Sequence, residues 1–271
     1  MSLSDILKTE KIIKVKEKEI LSSVLNKLNS SHDAAFVFSN KNEYLGVINP
    51  YYCVIKSSYP ANVKVKNCLF NPPKIYLDMP IEQVAKLFIE SKVHYLPVFS
   101  DKKKEDFLGI ISARRLLSYF KNLEIFKVKI EIILKFKKIL MTINENEPIS
   151  KAINFFRKTR YSKLVVVNGD NRLKGILTYF DLIYYLVSPK ISTSLGERKG
   201  EKTSFLNLPV KNFAKNYLIA KTIDNTLKEV IDLILEKKIG SVIIVNKEKN
   251  PIGIITTRDI LQFFIEKKGK K

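Results

Sequence analysis

A threonine and an aspartate three residues apart, Thr256 and Asp259, close a stretch whose residue types suit an anion site: Gly253-Ile254-Ile255-Thr256-Thr257-Arg258-Asp259-Ile260-Leu261. Its apolar, β-branched first half reads as a short buried strand, and its second half as the opening turn of a helix. A strand that stops at a hydroxyl and opens a helix gathers free backbone N–H groups at one point, where they attract an anion such as phosphate. The same spacing is that of a capping box, in which Thr256 and Asp259 satisfy the helix's own first N–H groups. The stretch alone leaves both readings open.

The elements that must position these residues recur four times. Helix starts at Ile20, Ile81, Ile149 and Leu227 each precede an apolar strand centre, at Val37, Val98, Val166 and Ile244, by 17 residues. A glycine follows each strand centre by 9 residues, as Gly46, Gly175 and Gly253, or by 11 in the case of Gly109. The extra length falls in the charged run Ser100 to Asp106, where an insertion costs little. Pro80-Ile81 and Pro148-Ile149 put proline at the first helical turn, with apolar residues following at three- and four-residue spacing, which predicts amphipathic helices lying on a sheet. Leu96-Pro97-Val98-Phe99, Leu164 to Val167 and Val242 to Val245 are near-continuous apolar runs of the kind that form strands covered on both faces. Short strands alternating with helices give an α/β fold class.

Composition narrows the functions. The chain has 48 Lys and Arg against 27 Asp and Glu, a formal charge of +21 that favours anionic partners. Its Lys/Glu/Ile-rich, tryptophan-free make-up resembles that of thermophile proteins. Cys53, Cys68, His32 and His94 lack metal-ligand spacing, so no metal is expected and the thiols are read as buried or neutral in a reducing compartment. The apolar region Ile130 to Met141 is broken by Glu131, Lys135, Lys137 and Lys138, and the start Met1-Ser2-Leu3-Ser4-Asp5 is not a leader, so a cytoplasmic protein without membrane spans is expected. With no Ser/His/Asp set, P-loop or GxGxxG, no catalysis is expected.

The repeat, with its Gly-apolar-apolar-Thr-x-x-Asp close, resembles the cystathionine-β-synthase-type (CBS) domain, an α/β module that works in pairs called Bateman modules. The layout is similar to the nucleotide-sensing gamma subunits of AMP-activated protein kinase and their stand-alone archaeal relatives. The resemblance implies small sheets packed against helices, and two Bateman modules: residues 1–121, with repeats at about 2–57 and 62–121, and residues 122–271, with repeats at about 127–188 and 208–266. It also implies a non-catalytic, regulatory adenosine-nucleotide sensor, with AMP, ADP, ATP or S-adenosylmethionine in the cleft of the second module.

In that family the closing aspartate accepts hydrogen bonds from both ribose hydroxyls and the preceding Thr or Ser contacts phosphate. A carboxylate, which only accepts, suits two O–H donors. Carried over residue by residue, this assigns Thr256, Arg258 and Asp259 in the fourth repeat and Thr178 and Asp181 in the third. The adenine slot falls on Tyr161, Ser162 and Lys163 and on Ile239, Gly240 and Ser241, with Thr142-Ile143 and Thr222-Ile223 offering backbone hydrogen bonds to the base edge. The second repeat departs from the pattern, keeping Ser112 but placing Arg115 where the aspartate should stand, and the first has Asn49 and Tyr52. Ser112 and Arg115 are therefore the weaker candidates.

The expected partners are an adenine nucleotide and a regulated protein. Nucleic acid is the alternative partner, suggested by the charge surplus and by the segments Lys135-Phe136-Lys137-Lys138 and Lys267-Lys268-Gly269-Lys270-Lys271. The assembly is open between an intramolecular disc and a homodimer. The longest interruption, Ser188 to Ser204, reads as a surface loop.

Overall fold

The computed structural model describes residues 2–28, 34–103, 105–135, 140–187, 205–216 and 219–269. His32 and the interruption Ser188 to Ser204 lie outside the described residues, as do parts of both basic segments.

Among the described residues there are four three-stranded sheets, one per repeat. The first holds β1 (Lys14–Lys16), β2 (Ala35–Phe38) and β3 (Tyr44–Ile48), with the helix α1 (Leu21–Lys27) between β1 and β2. The second holds β4 (Ile75–Tyr76), α2 (Ile81–Ser91), β5 (Tyr95–Phe99) and β6 (Phe107–Ser112), followed by α3 (Ala113–Phe120) and α4 (Ile130–Leu134). The third runs β7 (Thr142–Asn144), α5 (Ile149–Thr159), β8 (Lys163–Val167), β9 (Leu173–Thr178) and α6 (Tyr179–Val187). The fourth runs β10 (Ala220–Lys221), α7 (Leu227–Glu236), β11 (Ser241–Val245), β12 (Pro251–Thr256) and α8 (Thr257–Lys268).

In each repeat the first strand pairs parallel with the second and the second antiparallel with the third. A parallel step needs a crossover, which the intervening helix supplies, while the antiparallel step needs only a tight turn. The spacing measured along the sequence is thus the length of one crossover. The pairing register shifts at the same place in all four, between Val37 and Phe38, Val98 and Phe99, Val166 and Val167, and Ile244 and Val245, one residue past the partner of the glycine. Left-handed residues recur as well: Lys92, Arg160 and Lys238 stop the crossover helix, and Asn42, Glu105, Asn171 and Lys249 close the turn before the third strand.

The glycine-bearing strand would present an open edge were it not covered by an arm of chain that belongs to a different repeat. Lys8, ahead of the strands of the first repeat, exchanges two N–H···O bonds of 2.9 Å with Ile110 of β6. Phe70, ahead of the strands of the second, does the same with Val47 of β3, and Lys215, ahead of those of the fourth, pairs with Ile176 of β9. The glycines are what allow the approach. A Cβ on Gly109 or Gly175 would fall on the carbonyl oxygen of Lys8 or Lys215, well inside contact distance.

Because the arms cross over, the compact units are interleaved. One consists of Met1–Ile12, Pro72–Leu140 and Ile219–Lys271, and the other of Ile13–Asn71 and Met141–Leu218. Helices of the second and fourth repeats share one core, and those of the first and third share the other. In the first unit Phe120 stacks on Phe264 with centroids 4.0 Å apart, and α8 packs along α2. In the second, Tyr51, Phe156 and Tyr179 meet edge-on, and α1 and α6 pack together. Small sheets on helices, four times over, make this an α/β fold.

Glycine-to-alanine substitutions separate backbone from side-chain crowding. At an unstrained site Ala stabilises by about 0.4–1 kcal/mol, whereas overpacking against immobile atoms costs about 1–3 kcal/mol. Gly109→Ala and Gly175→Ala face backbone oxygens, while Gly253→Ala faces the Leu134 Cδ2 atom at 2.6 Å, the end of a side chain that can rotate. The first two are expected to lower stability by the overpacking amount and Gly253→Ala by clearly less, as read from urea unfolding.

Candidate functional site

The four strand-to-helix corners are built alike, and their differences are chemical. In the fourth repeat Asp259 Oδ2 accepts from the Thr256 N–H at 2.7 Å and from the Thr256 hydroxyl at 2.6 Å, while Thr256 Oγ1 accepts from the Asp259 N–H at 3.3 Å. In the third, Asp181 Oδ2 accepts from the Thr178 N–H at 2.8 Å and its hydroxyl at 2.6 Å, and Thr178 Oγ1 accepts from the Asp181 N–H at 3.4 Å. Both motifs therefore serve as helix caps. The cap occupies one carboxylate oxygen of Asp181, and Lys215 Nζ holds the other at 2.8 Å; the Asp181 side chain is only 7% exposed. Arg258 sits half-buried in the first turn of α8.

The corners bring the expected slot residues to the motif. Lys163 lies opposite Thr178 in the β8–β9 ladder, and Ser241 opposite Thr256 in β11–β12. The first helical N–H then turns back on the slot: Tyr179 N–H donates to the Ser162 carbonyl at 3.4 Å, and Thr257 N–H to the Gly240 carbonyl at 3.2 Å. Ala113 N–H does the same to His94 in the second repeat, at 3.1 Å. The equivalent residue of the first repeat is Pro50, which has no N–H to give. Tyr161 is 42% exposed, and Ile239 is half-buried beside Gly240.

One equivalence read from the sequence needs correction. Thr142 and Ile143 lie opposite Val165 and Val166, whereas the residues opposite Ile243 and Ile244 are Ala220 and Lys221. Thr222 and Ile223 lie two residues further on, in a turn where the Thr222 N–H is already donated to Asn225 Oδ1 at 3.0 Å. The shared Thr-Ile pair misled because register is set by the parallel ladder and not by the residues' likeness. Ile143 turns its side chain into the core, at 4% exposure, and offers only its backbone. β7 is an edge strand, so half of its backbone groups face away from β8.

Where the aspartate is missing, its place is otherwise engaged. In the second repeat Ser112 Oγ accepts from the Arg115 N–H at 3.1 Å, so the cap survives, and Arg115 Nη1 reaches the carbonyls of Ile6 and Leu7 at 3.4 and 3.5 Å. In the first, Asn49 Oδ1 accepts from Tyr51 N–H and the chain continues as a π-helical turn, Tyr51–Lys56. Tyr52 stacks on Phe70 with centroids 4.2 Å apart, and the Arg160 guanidinium lies over its ring and donates to its hydroxyl. Thus in the first, second and third repeats the arm covering the glycine strand also supplies the partner of the motif's last residue: a ring for Tyr52, carbonyls for Arg115, an ammonium for Asp181. Sequence spacing missed Lys215, since its partner lies on another repeat.

A cavity of about 210 Å³ in the unit of the first and third repeats is lined by Ser58, Asn154, Arg157 and apolar neighbours and by none of the expected contact residues. Arg157 spends its Nε on the Ile55 carbonyl and Nη2 on Ser58 Oγ, at 2.8 and 3.1 Å. Among the described residues no group of three or more His, Cys, Asp or Glu side chains is placed to hold a metal ion, and no helix is long and apolar enough to cross a membrane.

Comparison with known proteins bears on the whole chain. The family model described as CBS domain matches residues 66–122, 133–188 and 210–266. The uncharacterized protein MJ1404 of Methanocaldococcus jannaschii is 27% identical over 208 residues, which is 76% of this chain and 48% of that protein. The 5'-AMP-activated protein kinase subunit gamma-3 of Sus scrofa is 24% identical over 185 residues, 65% of this chain and 35% of the subunit. The chain spans about half the length, or less, of these curated relatives. The crystal structure of protein MJ1225 from Methanocaldococcus jannaschii matches with a TM-score of 0.82 at 18% identity, covering 97% of this chain and 100% of the other. The first repeat lies outside the ranges that the family model matches, yet it has the same strand order and register shift as the others.

The cap role of the hydroxyls has a measurable size. Thr178→Val and Thr256→Val remove the acceptor from an N-cap, as Ser112→Ala does in the second repeat, and each is expected to cost about 1 kcal/mol of stability. Urea unfolding of the three variants checks this; a loss well above that amount at Thr178 and Thr256 alone would mean these hydroxyls hold more than the helix end.

Proposed function

Since this chain belongs to the CBS-domain family, we propose that it is a non-catalytic regulatory protein that binds an adenosine nucleotide at the corners of its third and fourth repeats and passes the occupancy to a protein partner. The observation that carries this reading is the pair of Thr-x-x-Asp corners, each with a carboxylate fixed by its own helix cap beside the backbone of the slot residues. A carboxylate pre-aimed in this way accepts ribose hydroxyls without losing side-chain entropy on binding. The positive end of the following helix favours the ligand's phosphate.

At the third repeat, ribose hydroxyls take the place of the Lys215 ammonium on Asp181, which leaves a cation beside the phosphate. Arg258 supplies the corresponding charge at the fourth. The first and second repeats, with Tyr52 and Arg115 in the acceptor position, do not bind ribose in this way. AMP is the leading ligand, in line with the similarity to a subunit of the 5'-AMP-activated protein kinase; ADP, ATP and S-adenosylmethionine share the adenosyl group that the site reads.

A ligand present at about a hundred times its dissociation constant stabilises the native state by about 2.7 kcal/mol. AMP, ADP, ATP or S-adenosylmethionine is therefore expected to raise the melting temperature, and cytidine and uridine nucleotides to do so much less. Absence of any shift with all four adenosyl compounds would overturn the proposal.

Asp181→Ala and Asp259→Ala are expected to weaken adenosine-nucleotide binding by about 1.5–3 kcal/mol each, the size of hydrogen bonds to a charged acceptor. Tyr52→Ala and Arg115→Ala should leave binding in place. Isothermal titration calorimetry distinguishes the outcomes, and aspartate variants that bind normally but melt early would reduce the motif to a cap.

A further inference from the structure

The chain's two cysteines are 15 residues apart and lack the spacing of a redox motif, yet the fold brings them into contact. Cys53 is fully buried in the π-helical turn, and Cys68, 4% exposed, follows the tight turn Val65–Asn67. Both thiols are free. The Cys53 thiol donates to the Cys68 carbonyl oxygen at 3.3 Å, and the Cys68 thiol donates to the Val65 carbonyl oxygen at 3.5 Å. The neighbouring Cys68 side chain pushes the Cys53 thiol up, with burial adding to it, and the Cys53 side chain draws the Cys68 thiol down. The pair therefore has one sulfur suited to attack and one suited to follow.

Their neighbours give the contact a consequence. Tyr52 adjoins Cys53, and Phe70 stands two residues beyond Cys68; these are the two rings of the stack, and Phe70 exchanges two 2.9 Å hydrogen bonds with Val47 of β3. The sulfur contact and the ring stack fasten the same arm to the same repeat.

We propose that Cys53 and Cys68 form a redox couple, oxidised by a low-molecular-weight disulfide to an intramolecular disulfide that locks the arm Cys68–Asn71 onto the first repeat. The Cys68 thiolate attacks one sulfur of the small disulfide, giving a mixed disulfide and a small thiolate that takes up the proton Cys68 released. The Cys53 sulfur then displaces the second small thiol from Cys68, and its proton leaves with that thiol. Two protein thiols are oxidised by two electrons and one small disulfide is reduced to two small thiols. Local opening of the arm admits the oxidant. The Cys53 sulfur already lies against the Cys68 backbone, so the two residues are neighbours before oxidation.

The test uses the full chain, native, with excess oxidised glutathione. Expected are loss of both alkylatable thiols, an intact mass lower by two hydrogen atoms with no glutathione attached, and amide hydrogen exchange at Val47 and Phe70 slowed by about tenfold or more. Cys53→Ser should trap a single glutathione on Cys68, released by dithiothreitol. Native protein that keeps both thiols, carries glutathione on each, or oxidises only in denaturant would overturn the couple. A disulfide that leaves exchange at Phe70 unchanged would overturn the lock.

Discussion

The structure depends on a backbone passing within hydrogen-bonding distance of another backbone at a residue without a side chain. A three-stranded sheet has two edges, and an open edge invites pairing with any other extended chain. Here the glycine strand's edge is filled by an arm from elsewhere in the sequence, which comes close enough that a methyl group at Gly109 or Gly175 would meet its carbonyl oxygen. Once that contact is made, the rest follows. The arm delivers Lys215 to Asp181, carbonyls to Arg115 and a ring to Tyr52, so the chemistry at these three corners is the chemistry of the arm that reaches them.

The corner atoms carry two duties. Thr178 with Asp181, and Thr256 with Asp259, cap their helices, and the same cap fixes the carboxylate's orientation. Capping and ligand recognition, set against each other when only the residues are considered, are compatible once geometry is known. The cap uses one oxygen of Asp181 and a displaceable surface cation occupies the other. A motif of this kind loses little folding stability when its last residue changes, provided that the hydroxyl stays. Ser112 retains the cap after the aspartate has become Arg115, which frees the second repeat to use that position for holding its arm.

Periodic features were legible in the sequence because they repeat. The crossover length predicted helix starts at Ile81, Ile149 and Leu227, where α2, α5 and α7 begin, and at Ile20, which instead caps α1 from one residue before it. The recurrence of the closing Thr-x-x-Asp and its loss from the first two corners were legible for the same reason. Features made by distant segments were not. Lys215, the ring stack of Tyr52 on Phe70 and the meeting of Cys53 with Cys68 join positions with no shared spacing, and the Thr222-Ile223 equivalence failed because a local likeness stood in for a register set by Ile243 and Ile244. The division of packing was hidden because contiguity along the chain is not contiguity in the core.

The interleaving sets the order in which the molecule is completed as it is made. A ribosome supplies the chain from the N-terminus, and a domain usually folds as its own segment emerges. Residues Met1–Ile12 belong to a unit whose last portion begins at Ile219, so they wait for nearly the whole chain before their core closes. Contacts of such long sequence separation bring a large loop-closure entropy and slow folding. During that interval the glycine edge of the second repeat already has its cover in Lys8, because the arm precedes the strand it pairs with, whereas the third repeat's edge stays open until Lys215 has been made. The first pair of repeats can therefore seal its edges during synthesis, and the third repeat is the stretch of nascent chain most in need of protection from stray strand pairing.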